Sequence, residues 1–252
     1  DLSKVSNIEA YFEKNKFDVI VNCAAFTSVD KAEVNEKQAN QVNHLAVKEI
    51  AKIAKKNNMR LIHISTDFVF DGLKASPYIE TDLTSPLNIY GKTKLDGEHA
   101  LLSSMKSNAI IIRTSWVYSE FGNNFVDTIL NLAQKNTELN IISDQIGTPT
   151  YANDLAQTIL NILDSEKFIV RDFLSKIYHY SNYGECSWYD FALEVINILR
   201  VDCKINPIDT TDYPLPAKRP KNTLLSKEKI SFEFDLNIKF WKDSLKICLK
   251  NL

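Results

Sequence analysis

The first clear pattern along the chain is the apolar run Asp18-Val19-Ile20-Val21-Asn22-Cys23-Ala24-Ala25, which ends in small residues. A run of that kind reads as a buried strand leading into a loop. Next, Ala46, Ile50, Ile53 and Ala54 recur at helical spacing, with Lys48, Lys52, Lys55 and Lys56 on the polar side. The pattern continues as a strand over 60–65, a helix over about 86–102, a strand over 109–114, a helix over 124–134 and a short strand over 139–143. Strands alternating with helices of this length predict an α/β fold on a doubly wound, Rossmann-like parallel sheet.

The texture changes from Asp144. Gly147-Thr148-Pro149-Thr150 reads as a turn, and residues 153–163 as a helix returning to the first layer. Ser187 with Asp190 three residues later forms a capping-box pattern, opening a helix that should bury Trp188, Phe191, Val195 and Leu199. Pro214, Pro216 and Pro220 make 210–222 irregular, and a last amphipathic helix carries Trp241, Leu245 and Cys248. The predicted organisation is a nucleotide-binding domain over 1–143, with 151–182 returning to it. Residues 144–150 and 183–252 would form a smaller C-terminal substrate-binding lobe across a cleft.

Composition narrows the function classes. In 252 residues, Lys plus Arg is 30 and Asp plus Glu is 32, a formal net charge of −2. That balance argues against a nucleic-acid binder or a polybasic membrane-surface protein. No apolar stretch approaches the roughly 20 residues of a membrane span, and Asp1-Leu2-Ser3-Lys4 does not open a secretory signal. Cys23, Cys186, Cys203 and Cys248 form no Cys-x-x-Cys pair, so free thiols in a reducing cytoplasm are expected. No His, Cys and carboxylate cluster has ligand spacing, so no catalytic metal is expected. His44, His63, His99 and His179 read as structural or surface residues.

Candidate chemistry centres on Tyr90-Gly91-Lys92-Thr93-Lys94. Spacing of i, i+4 puts the Tyr90 phenol and the Lys94 ammonium on one helix face. A nearby ammonium favours phenolate, so Lys94 is expected to lower the Tyr90 pKa and make it a general acid/base toward a carbonyl or alcohol. Lys94 could also bind a ribose. The 60–65 strand runs into Ser65-Thr66-Asp67-Phe68, and hydroxyls at the carboxyl end of a parallel strand face the ligand crevice. Thr66 could there hold a substrate carbonyl for Tyr90. Alone, Tyr-x-x-x-Lys also fits a solvated helix face.

Thr66, Tyr90 and Lys94 together resemble the extended short-chain dehydrogenase/reductase superfamily. Longer runs are similar to the dTDP-4-dehydrorhamnose reductase family: 18–33, 65–72, 84–98, Arg113-Thr114-Ser115-Trp116-Val117-Tyr118, Gly122-Asn123-Asn124-Phe125, 144–150 and 213–220. The resemblance covers residues 1 to about 225. It implies NADPH-dependent reduction of the C4 keto group of dTDP-4-dehydro-L-rhamnose, with NADH as the alternative cofactor and a nucleotide sugar as substrate. By the same resemblance Thr66, Tyr90 and Lys94 would be catalytic. Asp1, Ala24, Ala25, Thr27 and Asn43 would line the cofactor cleft, with Lys94 on the nicotinamide ribose. Val29, Phe68 and Trp116 would border the sugar, although Phe68 stands where the family usually has Tyr. Arg219 is the candidate for the diphosphate, because a guanidinium fork matches phosphate oxygens. A homodimer is compatible with the resemblance.

One family feature is absent from the sequence. Its six glycines, at 72, 91, 97, 122, 147 and 184, form no Gly-rich phosphate turn. Average usage of about 7% would give about 18 glycines. The expectation is that about 30–40 residues, one βαβ unit, precede Asp1 in a complete reductase, and that the 252-residue chain alone is poorly stable and binds NADPH weakly. Two other functions fit the same motifs: another sugar-nucleotide reductase or epimerase, and a regulatory subunit resembling the methionine adenosyltransferase β subunit.

Overall fold

Short β-branched runs and amphipathic helices alternate in the computed structural model, which describes residues 1–170 and 173–252. Helix α1 (Val5–Lys14) precedes strand β1 (Val19–Asn22). Helices α2 (Val29–Val34) and α3 (Glu36–Asn40) lead through a π turn at Gln41–Leu45 into α4 (Ala46–Lys56). Then come β2 (Arg60–Thr66), a 3-10 turn at Asp67–Val69, α5 (Ile89–Ser104) and β3 (Ala109–Thr114). The middle of the chain forms β4 (Val117–Tyr118), α6 (Phe125–Ala133), β5 (Glu138–Ile142), β6 (Ile146–Gly147) and β7 (Thr150–Tyr151). The remainder is α7 (Ala152–Asp164), α8 (Glu166–Ile169), β8 (Lys176–His179), β9 (Cys186–Ser187), α9 (Trp188–Leu199), β10 (Lys204–Ile208), α10 (Glu228–Phe234) and α11 (Trp241–Lys250).

The main sheet has the order β1-β2-β3-β8, all parallel. Its strands feed alternate residues to opposite faces, as the two-residue period of a strand requires. Leu61, Ala109 and Ile111 pack with α1, α4 and α5 on one face, through Ile8, Ile50 and Leu101. Ile62, Ile110 and Ile112 pack with α7, α8 and α10 on the other, through Ile159, Phe168 and Ile230. Helices on both faces make the doubly wound α/β arrangement that the sequence predicts. A second core lies beside the sheet, where α6, α9 and α11 enclose Phe191, Val195, Trp241 and Leu245.

Several boundaries move. The strand read at 139–143 is β5, and it pairs with β10, not with the main sheet. Its neighbour α6 buries Val126 and Ile129 in the second core. The second lobe therefore begins well before residue 144, because an apolar run does not reveal which face it will pair with. Conversely, α10 packs on the main sheet, so 183–252 is not all one lobe. Helix α9 has the expected capping box and buries Phe191 and Val195, but Leu199 in its last turn is 37% exposed. The 86–102 helix starts at Ile89, after its cap Asn88.

Gly97 sets how closely α5 crosses the π turn, since a Cβ there would meet the backbone oxygen of Asn43. Gly97→Ala should cost about 1–3 kcal/mol by overpacking, seen as a lower urea midpoint at unchanged slope. An unchanged midpoint would show that the crossing can open.

Candidate active site

Three chain segments converge at the carboxyl edge of the sheet: the ends of β1 and β2 and the first two turns of α5. Helix α5 starts where it does because Asn88 caps it, its side-chain oxygen accepting the Gly91 N–H at 2.8 Å. Glu33 of α2 takes the next free donor, the Ile89 N–H, at 2.9 Å. Gly91 is required by a close approach, since a Cβ there would collide with the Phe68 carbonyl. That approach brings the Phe68 ring edge-on to Tyr90, with centroids 5.8 Å apart.

Thr66 ends β2. Its hydroxyl accepts the Phe68 N–H at 3.2 Å and donates to Asp67 Oδ1 at 3.1 Å. It also faces the Tyr90 phenol. Burial pushes that phenol up to about 12, the Asp67 charge adds to the rise, and the nearby Thr66 hydroxyl opposes it. The expectation that Lys94 lowers Tyr90 does not hold in this arrangement. The Lys94 ammonium, 2% exposed, donates to the Ile64 carbonyl at 2.6 Å and lies 3.5 Å from His63 Nε2. Sharing a helix face does not make two side chains point the same way, and β2 offers this ammonium a carbonyl to bind. Burial pulls Lys94 down to about 8, against the charge of Glu98.

Behind these groups the packing is polar and paired except at Arg113 Nη1, which is buried without a partner. Glu98, 1% exposed, takes the Arg113 guanidinium on both oxygens, at 3.0 Å from Nε and 2.7 Å from Nη2, and also accepts from the Ser65 hydroxyl. Asn43 is fully buried, and its amide is spent on the Phe26 backbone and the Thr93 hydroxyl. It braces the loop after β1 against α5 and does not face the cleft. His63 and His179 are buried, as structural histidines are, His44 bonds Asn40, and His99 is exposed.

A cavity of about 320 Å³ opens beside Phe68. Trp116, Phe125, Trp188, Tyr213 and Arg219 line it, with Trp116 and Trp188 stacked 3.7 Å apart. Trp116 sits in a left-handed conformation (φ 47°) and fits over Gly147, where a Cβ would meet its ring. Of the substrate residues, Phe68, Trp116 and Arg219 line this cavity, and Thr66 and Tyr90 adjoin it through Phe68. Val29, half-buried at the start of α2, is not in the lining. Arg219 forks onto Asp30 at 2.6 and 3.1 Å and donates to the Ala217 carbonyl, leaving two of its five N–H groups free.

On the cofactor side, Asp1 and Ala24 line a separate opening with Asn22 and Cys23 at the end of β1. Ala25 is half-buried and Thr27 exposed in the loop beyond. Asn22 links this end to Lys94 by donating to His63 Nδ1 at 3.0 Å. Among the described residues no group of three His, Cys, Asp or Glu is placed to hold a metal, and no helix is long and apolar enough to cross a membrane.

Sequence reasoning missed Asp67, which is 2% exposed with Oδ2 unpartnered. Burial raises its carboxyl to about 6, against the nearby Thr223 hydroxyl and the hydrogen bond from Thr66. Between about pH 4 and 6 the folded state therefore binds the extra proton, and this group's contribution to stability falls as pH rises through that window. Asp67→Asn should be more stable than the parent at pH 7 and lose that advantage on acidification toward pH 4. A pH-independent difference in urea midpoint would remove this assignment.

The chain matches the family described as RmlD substrate binding domain over residues 1–252. It is 40% identical over 253 residues to a dTDP-4-dehydrorhamnose reductase of Aggregatibacter actinomycetemcomitans, covering 98% of this chain and 85% of that protein. The crystal structure of a dTDP-4-dehydrorhamnose reductase from Clostridium acetobutylicum superposes with a TM-score of 0.93 at 37% identity, covering 100% of this chain and 86% of that one. The Bacillus anthracis reductase, solved in complex with NADP, gives 0.93 at 30% identity, with 100% and 87% covered.

Proposed function

The chain belongs to the RmlD substrate binding domain family, and from that premise we propose that it reduces the C4 keto group of dTDP-4-dehydro-L-rhamnose to dTDP-L-rhamnose with NADPH. The carrying observation is that Phe68, which touches both Thr66 and Tyr90, lines an aromatic cavity whose wall also holds an arginine with unused donors.

Bound NADPH supplies the hydride for C4. The residues present fit the nicotinamide end of such a group: small residues follow β1 at the crevice of a parallel sheet, and Asn22 at its end reaches Lys94 through His63. Ala24, Ala25 and Thr27 would lie along it, and Lys94 would take a ribose hydroxyl after leaving the Ile64 carbonyl. Thr66 turns its hydroxyl from Asp67 to the C4 oxygen and holds it. Tyr90, which keeps its proton throughout the neutral range because its phenol sits near 12, delivers that proton as negative charge grows on the oxygen. Trp116 and Phe68 exclude water from the sugar, and the free N–H groups of Arg219 meet the diphosphate. The four cysteines are free thiols, which supports a cytoplasmic location, where nucleotide sugars and NADPH are also found.

The test is NADPH oxidation followed at 340 nm with dTDP-4-dehydro-L-rhamnose. Stoichiometric oxidation yielding dTDP-L-rhamnose supports the reading. Epimerised sugar with no net NADPH loss would replace it with an epimerase.

A further inference from the structure

The wall of the cavity and the helix that carries Tyr90 are joined by a closed ring of hydrogen bonds. Residues 213–220 form a strap that gives Tyr213, Leu215, Arg219 and Pro220 to the wall. The strap is fastened twice. Asp30 in α2 accepts the Ala217 N–H at 3.1 Å and both arms of Arg219. Asn88 donates its side-chain amide to the Lys218 carbonyl at 2.8 Å, while its oxygen caps α5 at Gly91, also at 2.8 Å. Glu33 closes the ring by joining α2 to the Ile89 N–H. Asn88 is 7% exposed, so water competes little for either bond.

We propose that Asn88 is a positioning residue that transmits the seating of the substrate's diphosphate at the strap to the phenol of Tyr90, two residues along α5. The inference rests on the nucleotide-sugar reading above. Its logic is that binding at a remote, unreactive part of a substrate can be spent on orientation at the reacting centre. Asparagine is suited to the place because one planar group offers an acceptor to the cap and a donor to the strap. Aspartate keeps the cap and loses the donor.

The experiment compares the parent protein with Asn88→Asp, Asp30→Asn and the double variant. Turnover by the parent tests the nucleotide-sugar reading by itself. Given that turnover, Asn88→Asp should lower kcat about tenfold or more while calorimetric affinity for dTDP changes less than about threefold. The two losses should be less than multiplicative, since a strap released once gains little from a second release. Amide hydrogen exchange gives a readout apart from activity: dTDP should slow exchange at Gly91 and Lys92 in the parent and not in Asn88→Asp. Unchanged kcat in Asn88→Asp, full multiplicativity, or protection by dTDP that survives the substitution would each overturn the inference. If Asn88→Asp fails to fold, Asn88→Ser, which also keeps the cap, is read by the same criteria.

Discussion

Tyr90→Phe should lower kcat by about 10²-fold or more and leave cofactor affinity nearly unchanged. The substitution removes one oxygen and little else. The edge-on contact with Phe68 uses the ring, and the helix cap at Asn88 uses backbone, so both survive. What is lost is the acid that neutralises the C4 oxygen, and Thr66 cannot replace it, because its hydroxyl can hold the oxygen without supplying a net proton. The loss should fall on kcat and kcat/KM alike, the mark of an interaction made in the transition state. With the phenol near 12, the parent should show no fall in rate from Tyr90 ionisation between pH 6 and 9. Near-normal turnover in Tyr90→Phe would assign the proton to another group.

The largest effect on stability is expected from Glu98→Ala, at about 3–5 kcal/mol. Glu98 and Arg113 are 1% and 3% exposed, so removing the carboxylate strands a buried guanidinium whose Nη1 already lacks a partner. Ser65 loses its acceptor in the same step, one residue before Thr66. Urea unfolding followed by far-ultraviolet circular dichroism measures the cost. Glu98→Ala combined with Arg113→Met should recover much of it, because two apolar groups in place of a buried pair leave no stranded charge. A loss below about 1 kcal/mol for Glu98→Ala alone would mean that water reaches the arginine.

How much of this was legible in the sequence follows from the range of each interaction. The α/β alternation and the strands that became β2 and β3 were readable, because strand period and helix period are local properties. Tyr90 and Lys94 were readable as a pair from their spacing, and Thr66 from its place at a strand end. The direction of the Lys94 ammonium was not, since the Ile64 carbonyl that holds it belongs to a strand some 30 residues earlier. Asn88 carried a visible signal, an Asn just before a helical run. Its second bond, to Lys218, spans 130 positions and leaves no local trace. The β5–β10 pairing was hidden for the same reason. Asp67 sat next to Thr66 in plain view, yet only its burial distinguishes it from an ordinary turn aspartate.

The chain has three tryptophans, and all of them belong to the second core: Trp241 is buried there, and Trp116 and Trp188 pack against it. None is among the residues packed on either face of the main sheet. Tryptophan fluorescence is therefore a spectroscope aimed at one half of the molecule, away from the layer that carries Thr66, Tyr90 and Glu98. A melt watched at 340 nm emission reports the lobe around the cavity, while the amide signal reports both halves. If the sheet loosens first, the two curves separate, and their gap measures how strongly the strap and the sheet stand or fall together.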